Sequence, residues 1–353
     1  MTTEDFLEID GSFGEGGGAI LRIAAGFSVL FQRSIRLKNI RANRAKPGLR
    51  LQHLMGLKTL AELTSSKLSE CKIGTTEITL CPKNSIKNKI EVEIGTAGSI
   101  GLLLQPIQIA CLGFNSQEKI EIMVIGGGTF GKWAPSLNYL QQVTYNIFKK
   151  HGFKIDIDIL KHGFYPKGGA MVKCTLFPPR NKIKPINLTK LGNIELIQGE
   201  IISTSHLRSR NVCERIEKSA QLKLKKKLGL NVKLSLKYVN SLSPGVGLSL
   251  WAISDNGAII SSGTILGEKN ITSEELGNIA ADKLIEYIKN EIPVDNYLSD
   301  QLIPLMAFIQ EPSKIKVLEV TSHTNTNLEL IKLFLNRNYQ IKNENKYSTI
   351  EFQ

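Results

Sequence analysis

The chain has 353 residues, 42% hydrophobic and 22% charged, a composition that excludes intrinsic disorder and allows one large core or two smaller ones. No apolar run reaches membrane-spanning length, and the first eight residues carry three acids and no basic cluster, so the expectation is a cytoplasmic protein without a secretory leader or membrane partner. A net charge of +13 and a pI near 9.4 favour an anionic partner.

In chain order, a strand is expected at Phe6 to Asp10, then a glycine-rich turn and a long helix from about Ala19 to Phe31. A strand near Ile35 to Ile40, a helix from about Leu51 to Leu63, and short strands near Cys71 to Leu80 and Lys89 to Ile94 complete a first unit. The pattern recurs. The small-residue turn Gly95 to Ser99 opens a helix to Leu112, and a strand Lys119 to Val124 runs into Gly126-Gly127-Gly128. A helix over about Pro135 to Lys150 and strands Lys154 to Leu160 and Ala170 to Phe177 finish the second unit. A third copy has helices near Leu298 to Ile309 and Leu328 to Leu335, with strands near Ile315 to Val320, Tyr339 to Lys342 and Ser348 to Phe352. Between copies two and three, strand-like Ile194 to Ile202, Asn231 to Tyr238 and Gly247 to Ser254 and helices Val212 to Leu228 and Ser273 to Asn290 break that rhythm.

The expected fold class is α/β (α+β). A large domain, residues 1–183 and 288–353, holds three βαβαββ-type units in a pseudo-threefold arrangement. A smaller α/β domain, 184–287, is inserted into it, entered through Pro178-Pro179 and Pro185 and left near Pro293.

The segment Thr321 to Asn327 sets His323 just before an amphipathic helix, with Asn325, Thr326 and Asn327 as good N-cap residues. Unpaired N–H groups at such a helix start attract a phosphate, which makes His323 a candidate covalent nucleophile. A loop histidine satisfied by its hydroxyl neighbours accounts for the same residues when they are read alone.

Gly11-Ser12-Phe13-Gly14-Glu15-Gly16-Gly17-Gly18 follows a strand and opens a helix, so its backbone can approach a phosphate closely. It lacks the Gly-Lys-Ser/Thr ending of a Walker loop, and a basic run stands where a dinucleotide fold carries its ribose-binding acid. Glu15 could hold Mg²⁺ or Mn²⁺ beside a nucleotide, or simply complement the helix dipole. Between Arg33 and Arg50 lie seven basic residues and no acid. Arg41 and Arg44 fall on a loop before the helix of Gln52 and His53, and arginine forks suit phosphate oxygens; a solvated basic face is the plainer alternative. A second concentration, Arg208 to Lys227, holds eight basic residues against Glu214 and Glu217 and reads as a surface helix, with nucleic-acid tracking as the alternative. The five cysteines, Cys71, Cys81, Cys111, Cys174 and Cys213, are too dispersed for a zinc site or a disulfide framework.

Together these pieces resemble the RNA 3′-terminal phosphate cyclases, in their true-cyclase branch and archaeal in type. The matching stretches are Asp10-Gly11 with Gly14 to Gly18, Arg44 to Gly48 through Gln52-His53-Leu54, Ala97-Gly98-Ser99 with Gln105, His162 to Gly169, Tyr297 to Leu302, and Ser322-His323 through Asn327. The resemblance implies conversion of an RNA 3′-phosphate to a 2′,3′-cyclic phosphate, with ATP as co-substrate, Mg²⁺ or Mn²⁺, and release of AMP and pyrophosphate. It implies that His323 attacks the α-phosphorus of ATP, assisted by Glu15 at the metal, and that an RNA(3′)pp(5′)A intermediate follows. Tyr297 would stack on adenine, and Pro135, Gln105, Asp300 and Gln301 would shape the nucleotide pocket. Arg22, Arg41 and Arg44 would neutralise phosphates, with Gln52 and His53 close by. A fold of this kind often self-associates, so a homo-oligomer is compatible with the resemblance.

Three positions depart from the family pattern. Phe130-Gly131-Lys132 stands where an Asp or Asn and a proline are usual, Ala19 replaces a frequent polar residue, and Ala170 ends a motif where glycine is usual. The alternatives are a non-catalytic cyclase-like RNA-binding or ribosome-assembly factor, which would lack the histidine and the Gly-Glu-Gly-Gly-Gly loop, and more remotely an enolpyruvyl-transferase-like enzyme.

Overall fold

The structure is a computed structural model that describes residues 5–14, 16–83 and 85–353. Its first unit runs β1 (Leu7–Asp10), α1 (Gly18–Leu30), β2 (Ile35–Lys38), α2 (Leu51–Leu63), β3 (Lys67–Leu68) and β4 (Ile78–Cys81). The second runs β5 (Lys89–Ser99), α3 (Ile100–Cys111), β6 (Ile120–Gly128), α4 (Leu137–Tyr139), a π-helical stretch, α5 (Tyr145–His151), β7 (Lys154–Lys161) and β8 (Met171–Phe177). Then come β9 (Asn187–Leu188), β10 (Ile194–Thr204), α6 (Val212–Leu228), β11 (Val232–Val239), β12 (Val246–Ser254), β13 (Ile259–Leu266) and α7 (Ser273–Lys289). The chain closes with α8 (Asn296–Phe308), β14 (Ser313–Val317), α9 (Ser322–Phe334), β15 (Tyr339–Asn343) and β16 (Ser348–Phe352).

The fold is mixed α/β, as the alternating sequence pattern requires. Three sheets share one order, β1-β2-β4-β3, β5-β6-β8-β7 and β9-β14-β16-β15. In each, the first pair is parallel and the other two pairs are antiparallel. A helix must cross between parallel neighbours, and a hairpin suffices for antiparallel ones, which is the βαβαββ order read from the sequence. The fourth sheet, β11-β10-β12-β13, follows another order. Among the described residues no helix is long and apolar enough to cross a membrane.

Alpha-1 is apolar around nearly its whole circumference, and ten of its residues, Ile20 to Leu30 apart from Arg22, are buried. It packs against α2, α3 and α9, with Phe27 and Phe334 rings 5.5 Å apart. This layer of helices brings the starts of α1, α2, α3 and α9 together. The basic helix α6 packs on α7, where Arg215 grips Glu274 through two bonds of 2.7 Å and Lys223 pairs with Asp282.

Several elements differ from the sequence expectation: the strand expected near Cys71 to Leu80 is reduced to β4, with β3 ahead of it, and the helix expected over Pro135 to Lys150 is divided by the π-helical stretch. Alpha-9 starts at Ser322 with Thr321 as N-cap, a turn and a half before the expected Leu328, so His323 lies inside the first turn. The Gly95 to Ser99 segment continues β5 and does not form a turn. Strand β9 lies within 184–287 yet pairs with β14, giving the third sheet its first strand from ahead of the insertion. Strand β13 has no expected counterpart, because Ser261 and Ser262 interrupt its apolar run; both hydroxyls are buried and donate to Leu250 O, at 2.7 and 3.5 Å.

Candidate active site

The start of α9 is fixed from α8. Thr321 Oγ1 accepts the Thr324 N–H at 2.9 Å, and the Thr321 and Thr324 hydroxyls each donate to Asp300 Oδ1 at 2.6 Å. The Asp300 carbonyl accepts the Asn327 side-chain amide at 3.2 Å. One carboxylate therefore holds the turn on which His323 is exposed.

The glycine loop lies against this turn. At Gly14, with φ +57°, a Cβ would run into Thr326 Oγ1, so both backbone and space exclude a side chain. Thr326 in turn donates to Ser322 O at 2.8 Å. Asn43 lies over Gly16 and is tied to Ser12 O at 3.0 Å, while Arg44 Nη2 lies 2.9 Å from the place of a Cβ on Gly17. Gly18 starts α1 between His53 Nε2 and Arg22 Nη1, the latter 2.8 Å from its Cβ position. Glu15, read as the catalytic and metal-holding carboxylate, lies outside the described residues.

Beneath the loop the charges are positive. Arg22 donates Nε to Gln105 Oε1 at 2.7 Å, and burial with the nearby Arg41 lowers its pKa to about 10. His53 is buried; that burial, then Arg22, Arg41 and Arg50, push its pKa down to about 3. It is therefore neutral at physiological pH. Its Nδ1 accepts the Arg50 N–H at 3.3 Å, so the hydrogen belongs on Nε2, the atom facing Gly18. Arg41 gives Nη1 to the carbonyls of Lys46 and Gly48 at 2.7 and 3.0 Å, bracing the basic loop. Gln52 Oε1 accepts the Ser99 N–H at 3.2 Å, and Ser99 caps α3, the helix of Gln105. Like charges held this close favour an anion between them.

A second group surrounds Tyr297, in the first turn of α8. Its ring lies against Gly263 of β13 and edge-on to Tyr139 at 6.2 Å, and its hydroxyl accepts Lys283 Nζ of α7 at 3.2 Å. Asp295 caps α8 by accepting the N–H groups of Tyr297 and Leu298 at 3.1 and 3.0 Å. The same fully buried carboxylate accepts Tyr139 OH at 2.9 Å and Ser261 N–H at 3.0 Å. Burial raises its pKa to about 6, against those hydrogen bonds. Pro135 O lies 3.2 Å from a Cβ on Gly101 of α3, and the next residue is tied to β13 by Thr264 Oγ1 to Ser136 Oγ at 2.8 Å. Gln301 is placed elsewhere, lining a narrow hollow with Gln108, Phe148, Phe153 and Pro304.

The Phe130 departure has a structural use. Phe130 is buried, stacks on Phe164 at 5.0 Å and on His162 at 5.9 Å, and with Phe164 sits over Gly245 and Gly247 of the inserted sheet. Burial lowers His162 to about 4. Asp295, Lys283 and Thr326 were not among the expected site residues. An aspartate just ahead of a helix is a legible cap, whereas nothing local marks Lys283.

Among the described residues no group of three or more His, Cys, Asp or Glu side chains is set to hold a metal ion. A divalent cation here would take most of its oxygens from phosphate, as Mg²⁺ commonly does. An open hollow of about 900 Å³ between Lys58, Glu62, Lys72 and Lys87 contains none of the expected residues.

Residues 13–341 match the family described as RNA 3′-terminal phosphate cyclase. Similar proteins of that name occur in Methanopyrus kandleri, 35% identical over 98% of this chain and 98% of the relative, and in Thermococcus kodakarensis, 36% identical over 96% of each. A third, from Pyrococcus abyssi, is 37% identical over 96% of each.

Proposed function

The chain belongs to the RNA 3′-terminal phosphate cyclase family, and from that premise we propose that it closes an RNA 3′-phosphate into a 2′,3′-cyclic phosphate at the expense of ATP. Direct closure would expel an oxide-like group, and adenylylation replaces it with AMP. In the first step an imidazole nitrogen of His323 bonds to the α-phosphorus while the bond to the bridging oxygen of pyrophosphate breaks. The adenylyl group then passes to an oxygen of the RNA 3′-phosphate, giving RNA(3′)pp(5′)A and freeing the histidine. Finally the 2′-hydroxyl attacks the 3′-phosphorus, loses its proton and expels AMP. A 2′-hydroxyl is required, which makes the substrate RNA.

The observation that carries this reading is the contact of the glycine loop with the first turn of His323's helix, above Arg22, Arg44 and a neutral His53. Triphosphate oxygens fit there against arginine forks and the His53 Nε2–H, and Asp300 orients the turn that presents the nucleophile. The nucleotide base would lie by Tyr297 and Pro135, with Gln105 holding Arg22 in place and Gln52 and Arg41 bracing the walls. Mg²⁺ or Mn²⁺ would enter with the phosphates and neutralise their charge, with Glu15 the nearest carboxylate in sequence. The same reading takes 1–183 and 288–353, together with β9, as one catalytic unit of three repeats about a pseudo-threefold axis, with the rest of 184–287 inserted, in a cytoplasmic protein compatible with self-association.

The test is to incubate the protein with α-labelled ATP and Mg²⁺ or Mn²⁺. Acid-labile, hydroxylamine-sensitive label on the polypeptide is expected, and its complete loss in His323→Ala. A wild-type protein that binds RNA but takes no label would be a non-catalytic relative, and label persisting in His323→Ala would overturn the assignment of the nucleophile.

A further inference from the structure

Two large aromatic side chains stand in solvent on neighbouring loops: Trp133 is 91% exposed and Tyr165 is 79% exposed. Their loops share a rigid root. Thr129 N–H donates to Gly163 O at 3.0 Å, and the Phe130 and Phe164 rings stack 5.0 Å apart beneath them.

Trp133 is held out against local preference. It is the third residue of the turn Gly131 to Ala134, closed by Ala134 N–H to Gly131 O at 3.3 Å, and its φ is +61°. That position suits glycine or asparagine, and a bulky residue there is strained. Strain of this kind, combined with an indole left in water, marks a functional contact more often than a packing one. Lys132 Nζ lies 5.3 Å from the indole centre.

The surroundings select the ligand. Residues 129–136 and 161–170 contain Lys132, Lys161 and Lys167 and no Asp or Glu, and all three lysines are exposed. Lys132 pairs with Glu268 at 2.8 Å, whereas Lys161 and Lys167 have no ion-pair partner among the described residues, and exposed π-faces beside such positive charge suit unpaired bases on a phosphate backbone. The turn is also next to the proposed active site. Ser99 Cβ lies 3.6 Å from a Cβ placed on Gly131, and Ser99 N–H is bonded to Gln52.

We propose that Trp133 and Tyr165 form a stacking platform for the unpaired bases of an RNA strand just upstream of its 3′ end. The proposal rests on the reading of the chain as acting on RNA ends, and it names the surface that grips the strand.

One of only two tryptophans, Trp133, is exposed, while Trp251 is buried, so a change of indole emission reports this site. A 3′-phosphorylated oligoribonucleotide should quench that emission saturably. Trp133→Gly removes the ring and relieves the backbone, so it should melt at or above the wild-type temperature while the KM for the oligonucleotide rises about tenfold; Trp133→Phe should recover most of the loss. Tyr165→Ala should act in the same direction. An unchanged KM in Trp133→Gly, or no quenching, overturns the platform. Dissociation of an oligomer by Trp133→Gly with KM unaltered would likewise overturn it and identify a contact between copies. Quenching without any histidine labelling would keep the platform and sink the proposed chemistry.

Discussion

The two halves of the site are built on opposite electrostatic plans. The half around Arg22, Arg44 and His53 crowds positive groups and holds its histidine neutral by burial. The half around Tyr297 hides a carboxylate, Asp295, under hydrogen bonds from Tyr139, Ser261, Tyr297 and Leu298, and presents aromatic surface. One half concentrates positive charge around a neutral imidazole, and the other answers a single buried negative charge with hydrogen bonds. Function should therefore respond to mutation mainly in the first, and stability mainly in the second.

The largest expected effect tests that division directly. Arg22→Met should lower the rate of histidine labelling by about 10²- to 10³-fold, the cost of losing a charged donor to a transition state, with little change in melting temperature. Stopped labelling assays beside thermal melts check this, and a large melting loss would erase the distinction. In the other half, Asp295→Ala strands the buried Tyr139 hydroxyl and three N–H groups. It should lower unfolding stability by about 3 kcal/mol in urea titrations while His323 still labels at saturating ATP.

Acidification should pull the two halves apart. His53 titrates near 3 in the fold and near 6.5 when unfolded, so the unfolded state takes the proton first and stability falls as pH drops from about 6.5 toward 3. The slope is about 1.4 kcal/mol per pH unit for one such group. Asp295 has its pKa raised to about 6 from 3.8, so the folded state takes the proton first and stability rises as pH falls through that window. Relative to the wild type, the loss of stability on acidification between about pH 6 and 4 should become smaller or reverse in His53→Gln and become larger in Asp295→Asn, in urea midpoints; curves parallel to the wild type would show that neither shift is expressed. The smallest effect is at the seam between the halves and the inserted helix. Lys283→Met, which frees the Tyr297 hydroxyl, should raise the KM for ATP about threefold with kcat unchanged, in line with the loss of one partly exposed hydrogen bond.

Much of the first half is legible in the sequence because its parts are local. A glycine run between a strand and a helix and an acid-free stretch from Arg33 to Arg50 announce themselves by composition, and His323 by the polar run around it. The start of α9 is hidden, because Asp300, more than twenty residues upstream in sequence, selects Thr321 over the equally good caps Asn325 and Asn327. The second half is scarcely legible. Tyr297 meets Tyr139, Gly263 and Lys283, each from a different element, and no periodicity links them. Strand β13 is masked by serines whose partners lie across the sheet, and β9 is too short to show a period.

Strand β9 also sets an order of events during synthesis. Leu188 pairs with Ile315, so β9 leaves the ribosome long before its partner in β14. At ordinary elongation rates the wait is on the order of ten seconds, ample for a small α/β unit to collapse. The inserted sheet can therefore form while the third sheet has only its edge strand β9, and that sheet, which carries the helix of His323, is the last to close.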